Sequence, residues 1–226
     1  MTTSSPQITI FTGRFGSGKT EIALNYALEL ADRGREPLLV DLDIVTPYFR
    51  TREKAAEMCQ YGVQVVTPFQ VGQHIHIPAI SPAILGAIEQ SERPVVLDVG
   101  GDVQGARALS QYATAIERQT YEMSFIVNPY RPFMDTVEGI VSAVREIETS
   151  AGLQISSLVS NSNMMSSSTP ALFYQGNDMV RAAAQALDLP VSFLVMSEAL
   201  AKKMDPPAGP VLVIHRFFLM MDNVQE

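Results

Sequence analysis

At 226 residues and 46% hydrophobic content the chain can build one α/β domain with a sizeable core, which excludes a disordered chain. Sixteen Lys and Arg against twenty-four Asp and Glu leave a formal charge of −8, so no basic stripe is available for nucleic-acid phosphates and no nucleic-acid partner is expected. The single cysteine, Cys59, closes no internal disulfide and forms no thiol pair, which points to a reduced, cytoplasmic protein.

Residues 1–7 (MTTSSPQ) read as a polar tail without the basic end and apolar core of a signal peptide, and no apolar run reaches the roughly 20 residues of a membrane span. Gln7–Phe11 reads as a first strand, followed by a Gly-rich turn. Thr20–Arg33 reads as a helix, with Ile22, Ala23, Tyr26, Ala27 and Leu30 on one face and Gly34 as its stop. Pro37–Leu42 is a second strand, apolar enough for burial on both faces. A helix is expected over 52–61 and a short strand over 63–68. The stretch 69–82 is irregular, with Pro78 and Pro82.

A short helix at 83–89 and a strand at 94–99 follow, the strand running into Gly100 and Gly101. The remaining expectations are helix 105–120, strand 122–128, helix 133–150, strand 154–160, helix 171–187, strand 191–195, helix 197–203 and strand 210–214. Strands separated by helices require parallel crossovers, hence an α/β fold with a mostly parallel, doubly wound sheet between two helical layers. No linker interrupts the pattern, so 1–226 is expected to be a single domain with a polar tail at 1–6 and a C-terminal tail at 216–226.

Residues 13–20 read GRFGSGKT and satisfy G-x-x-x-x-G-K-[ST] between a strand and a helix, the context this phosphate-binding motif needs. Its glycines turn backbone N–H groups toward phosphate, and the helix N-terminus adds the positive end of its dipole. Gly13, Arg14, Phe15, Gly16, Ser17, Gly18, Lys19 and Thr20 are therefore candidate nucleotide contacts. Lys19 would meet the β- and γ-phosphates and Thr20 would ligate Mg²⁺.

In an open parallel sheet, ligands lie beyond the carboxyl ends of the strands. Two strands carry aspartates there: VDLD with Asp41 and Asp43, and VVLDVGGD with Asp98 and Asp102. Asp98 has the form of a magnesium-holding acid after an apolar strand, and Gly101, closing D-x-x-G, could lend its N–H to the γ-phosphate. Asp41 is a further candidate metal ligand. Side-chain direction alternates along a strand, and only one of Asp41 and Asp43 is expected to face the site. Capping of loops or helix starts is the competing role for all four aspartates.

These segments together resemble the SIMIBI class of P-loop NTPases, specifically the Min/Par/Mrp-like and cobyrinate-synthase-like ATPases with a deviant Walker A motif. The resemblance runs from about residue 7 to 195. It implies ATP and Mg²⁺ as cofactors, with Lys19, Thr20 and Asp98 on phosphate and metal and Asp43 orienting the attacking water. The family's signature lysine, which crosses a dimer interface, corresponds to Arg14, and its next glycine to Phe15. The resemblance implies a homodimer and gives Arg14 a catalytic role in trans, competing with a solvent-facing role. Asn161, ending strand SLVSNSN, falls where such ATPases read adenine, and neither NPYR (128–131) nor NSNM (161–164) carries the N-K-x-D guanine signature.

Three features remain. His74 and His76, in HIHIP, could share a side of an extended segment and hold a metal, although no Cys, Asp or Glu lies within 69–82. Arg50 and Arg52, beside Tyr48 and Phe49, and Arg131 in NPYRPF could hold an anionic substrate or a partner. The tail HRFFLMMDNVQE has no basic face, so its apolar residues are expected to pack on the domain. The leading expectation is an ATP-hydrolysing, nucleotide-dependent switch or accessory ATPase with a protein client. The competing one is an ATP-dependent synthetase that activates a carboxylate, or a metabolite kinase.

Overall fold

The computed structural model describes residues 7–43, 51–67, 80–90 and 92–218. Strand β1 (Ile8–Thr12) leads through the glycine loop into helix α1 (Lys19–Asp32), and β2 (Leu38–Leu42) follows. A 3₁₀ turn (Thr51–Lys54) runs into α2 (Ala55–Gln60), β3 (Gln64–Val66), α3 (Pro82–Gln90) and β4 (Val95–Val99). Then come α4 (Val103–Ser110), α5 (Ala113–Glu117), β5 (Tyr121–Val127), α6 (Val137–Ala151) and β6 (Ser157–Ser160). The chain continues with α7 (Pro170–Leu187), β7 (Val191–Ser197), α8 (Glu198–Ala201) and β8 (Val211–Ile214).

The eight strands form one sheet in the order β3-β2-β4-β1-β5-β6-β7-β8, and every pairing is parallel. β1, β2 and β4 are buried along their whole length, as near-continuous apolar runs in parallel sheets should be. Alternate residues feed two core layers. Ile8, Ile10, Val95 and Leu97 pack under α3 to α7, whereas Phe11, Leu39 and Val96 pack under α1 and α2. The expected three-layer α/β architecture is therefore observed.

The expected helix over 105–120 is two helices. The chain turns at 111–112, where Tyr112 enters the core and its hydroxyl accepts the Ser81 N–H at 2.9 Å. The expected helix over 133–150 starts four residues later. Phe133 adopts φ 66°, a left-handed conformation that breaks a helix, and Thr136 caps the new start by accepting the Gly139 N–H. The residues so released, 133–136, extend the loop 128–136, from which Arg131 reaches the glycine loop at Gly16. The strand expected over 154–160 begins only at Ser157, because Ile155 N–H is taken by Glu148 on α6.

Candidate nucleotide site

The order β2-β4-β1 brings the loops after three strands to one end of the sheet. The loop after β1 is held at both its ends by glycines. Gly13 lies so close to β5 that a Cβ there would sit 2.4 Å from the Ile126 carbonyl oxygen. Gly18 is the N-cap of α1 with φ 91°, and a Cβ there would strike Asn161 Nδ2 at 2.5 Å. Asn161, at the end of β6, donates Nδ2 to Ser17 O at 2.7 Å, and Arg131 donates Nε to Gly16 O at 3.0 Å. The loop is thus braced from β5, β6 and the 128–136 loop.

Lys19 opens α1 and is buried. Burial lowers its pKa, opposed by the negative charges of Asp98, Asp43 and Asp102. Asp98 on β4 is fully buried; its Oδ2 accepts the Thr51 hydroxyl at 2.7 Å, and Thr20 adds a second hydrogen bond. Burial, then the neighbouring Asp41, push its carboxyl up to about 7.

Residues two apart on a strand project to the same side; Asp41 lies within β2 and is fully buried, and Asp43 follows the end of the strand. Asp41 shares its side of the sheet with Leu39, which packs under α1. Asp41 is paired in register with Asp98, and its Oδ1 accepts the Asp43 N–H at 3.1 Å. Asp43, just past the strand, lines the cleft beside Lys19. Asp102 serves as a cap, its Oδ1 accepting the Gly105 N–H at 2.8 Å at the start of α4.

Gly101 presses on the phosphate loop. A Cβ there would lie 1.9 Å from Gly13 O and 2.8 Å from Lys19 Nζ. Arg14 pairs with Glu146 of α6 in the same chain, and Phe15 is 78% exposed at the rim. Above the loop opens a cleft of about 430 Å³, walled by Lys19, Asp43, Arg131, Asn161, Arg216 and Phe218 among others. The expectations placed on Arg50, His74 and His76 lie outside the described residues. Thr51, whose hydroxyl donates to Asp98, and Glu21 and Arg216, which line the cleft, join the site, and no motif in the sequence marks them.

The residues present fit a magnesium-bound triphosphate. Five buried side-chain polar atoms have no hydrogen-bond partner among the described residues. Four of them, Thr12 Oγ1, Ser17 Oγ, Asp98 Oδ1 and Asn161 Oδ1, belong to the loop and to the ends of β1, β4 and β6, and the fifth is Asn177 Nδ2 on α7. A buried polar atom left unpaired costs about 1–3 kcal/mol, which a bound ligand recovers.

No family model and no curated protein sequence matches the chain. Solved structures do. FtsY from Mycoplasma mycoides matches with 16% identity and a TM-score of 0.55, over 82% of this chain and 58% of that one. Cell division protein FtsY from Thermotoga maritima matches with 15% identity and a TM-score of 0.57, over 85% and 62%. Signal recognition particle 54 kDa protein from Aeropyrum pernix, solved with GDP, matches with 15% identity and a TM-score of 0.57, over 86% and 42%. The chain shares the parallel α/β fold of these P-loop NTPase structures. This chain spans less than two thirds of each of these structures. At such identity the likeness to these P-loop NTPases is one of fold alone, and none of these structures is of the Min/Par-like kind. No described helix of this P-loop fold is long and apolar enough to cross a membrane.

Proposed function

We propose that the chain binds ATP with Mg²⁺ at the glycine loop and hydrolyses it as a nucleotide-dependent switch or accessory ATPase. The observation that carries this reading is the meeting of Lys19, Thr20 and Asp98 at one mouth, with Thr20 hydrogen-bonded to Asp98 and Asp98 Oδ1 buried without a hydrogen-bond partner among the described residues. Thr20 and Asp98, with Asp41 behind Asp98, would hold the metal, which supplies charge neutralisation on the phosphates. Lys19 would neutralise the terminal phosphates, and the Gly101 N–H would face the γ-phosphate. Asp43 would orient water at the cleft mouth. Positioning and preorganised electrostatics supply the acceleration, so no covalent step on the chain is needed.

Adenine is favoured over guanine. Asn161 Oδ1, a buried acceptor on the cleft wall, complements the amino group of adenine, whereas guanine presents a carbonyl oxygen there. In the homodimer that belongs to this reading, Arg14 would exchange Glu146 for the partner's phosphates, and the exposed Phe15 would have to fit between the two loops. The test is isothermal titration of MgATP and MgGTP into the full chain, with turnover measured alongside. Tighter ATP binding and slow hydrolysis without any added metabolite support the switch; equal or tighter GTP binding overturns the adenine preference.

A second reading has its own observation. The cleft adjoins a pocket of about 300 Å³ edged by Ser197, Glu198, Lys203 and His215, room for a second substrate of an ATP-dependent synthetase or metabolite kinase. Strong stimulation by one metabolite, with transfer to it, would select that reading.

A further inference from the structure

The segment 214–218 walls the cleft with Arg216 and Phe218 and is itself fixed to α1. After β8 the chain lies along the start of α1 and is clasped to it twice. Asn25 donates Nδ2 to His215 O at 2.8 Å and accepts the His215 N–H at 2.8 Å. One turn earlier, Glu21 accepts the N–H groups of Phe217 at 3.0 Å and of Phe218 at 2.8 Å. Phe217 is buried in the α1-side core, and the Lys54 ammonium stands 5.6 Å from the centre of the Phe218 ring. Four main-chain hydrogen bonds and a buried ring make this a built strap.

Between the two clasps sits Arg216. It is half-buried and lines both the nucleotide cleft and the pocket beside it. Among the described residues its guanidinium forms no direct ion pair. Glu21 follows the Lys19-Thr20 pair in the first turn of α1 and also lines the cleft. A carboxylate there repels the anion that the loop and helix N-terminus attract. The strap offsets that repulsion: its two N–H groups occupy the Glu21 oxygens, and Arg216 adds positive charge beside them. Burial raises the Glu21 pKa, and Phe217, Phe218 and Arg216 each oppose the rise.

We propose that the 214–218 strap completes the nucleotide site and that Arg216 contacts the phosphate chain of the bound nucleoside triphosphate. This inference rests on the nucleotide reading of the cleft. A guanidinium suits the role, since it stays charged at all working pH values and offers a planar fork of donors to phosphate oxygens.

The test uses the full chain and its Arg216→Ala and Arg216→Gln variants, titrated in magnesium with ATP and, separately, with inorganic tripolyphosphate. Thermal unfolding without ligand serves as the folding control. Both variants are expected to lose about tenfold in affinity for both ligands, as removal of one charged hydrogen bond does, with unfolding midpoints at the wild-type value. Wild-type affinity in a folded variant overturns the inference, and so does a loss confined to ATP, which would place Arg216 on the nucleoside. Lys19→Ala separates the two levels. If it abolishes binding while the Arg216 variants bind like wild type, the strap inference alone fails; if wild type binds neither ligand, the nucleotide reading fails and takes this inference with it.

Discussion

Asp98 is buried with Asp41 in register beside it, and its carboxyl sits at about 7 against an ordinary value of 3.8. The folded chain therefore holds this proton between about pH 4 and 7, where the unfolded chain has released it. Stability from this residue is present below about pH 4 and falls as pH rises to 7, by on the order of 4 kcal/mol. Asp98→Asn should remove that slope, so denaturant unfolding at pH 5 and pH 8 should show the variant gaining on wild type at the higher pH; parallel behaviour would contradict the assignment. A metal needs the ionised carboxylate, so MgATP binding near neutral pH should release protons, seen as a binding enthalpy that differs between buffers of different ionisation enthalpy. Gly101→Ala puts a methyl 1.9 Å from the Gly13 carbonyl oxygen, backbone against backbone. The loop must shift, and MgATP affinity should fall at least about tenfold while the fold survives, a loss on the order of 1.4 kcal/mol.

At the level of elements, legibility followed chemistry that is local. The glycine loop, α1, β2 and β4 could be read because Gly, Lys-Thr and apolar runs ending in Asp each impose their own geometry. Other elements were decided by partners far away in sequence. Helix α6 starts late because the preceding loop brings Arg131 onto Gly16, and α4 ends early because Tyr112 meets Ser81. The strap was invisible for the same reason: Asn25 and His215 are 190 residues apart, and nothing in HRFF announces a clasp. Asn25→Ala leaves the His215 N–H and carbonyl without their partner and should cost about 1–3 kcal/mol in denaturant unfolding. Glu146→Ala removes only a half-exposed ion pair, with side chains 35% and 41% exposed, and should cost under about 1 kcal/mol in the same assay. A larger cost would mean that the Arg14 contact is part of the fold rather than a releasable restraint.

At the level of the molecule, one topological fact gathers the site. Consecutive strands β1 and β2 are separated by β4 in the sheet, so their loops and that of β4 open at a common mouth, where Lys19, Asp43 and Asp98 meet. Alternating strands and helices made this architecture readable, whereas the client or second substrate depends on surfaces that no motif specifies. If the mouth is a triphosphate site, ligand should stabilise the whole domain. A hundredfold excess over Kd is worth about 2.7 kcal/mol, or roughly 5–10 °C in Tm for a chain of this size. The most direct measurement is calorimetric titration of MgATP into the full chain and into Lys19→Ala. The account predicts saturable, magnesium-dependent binding of one ATP per chain that is lost in the variant; no binding by wild type, or undiminished binding by Lys19→Ala, would contradict it.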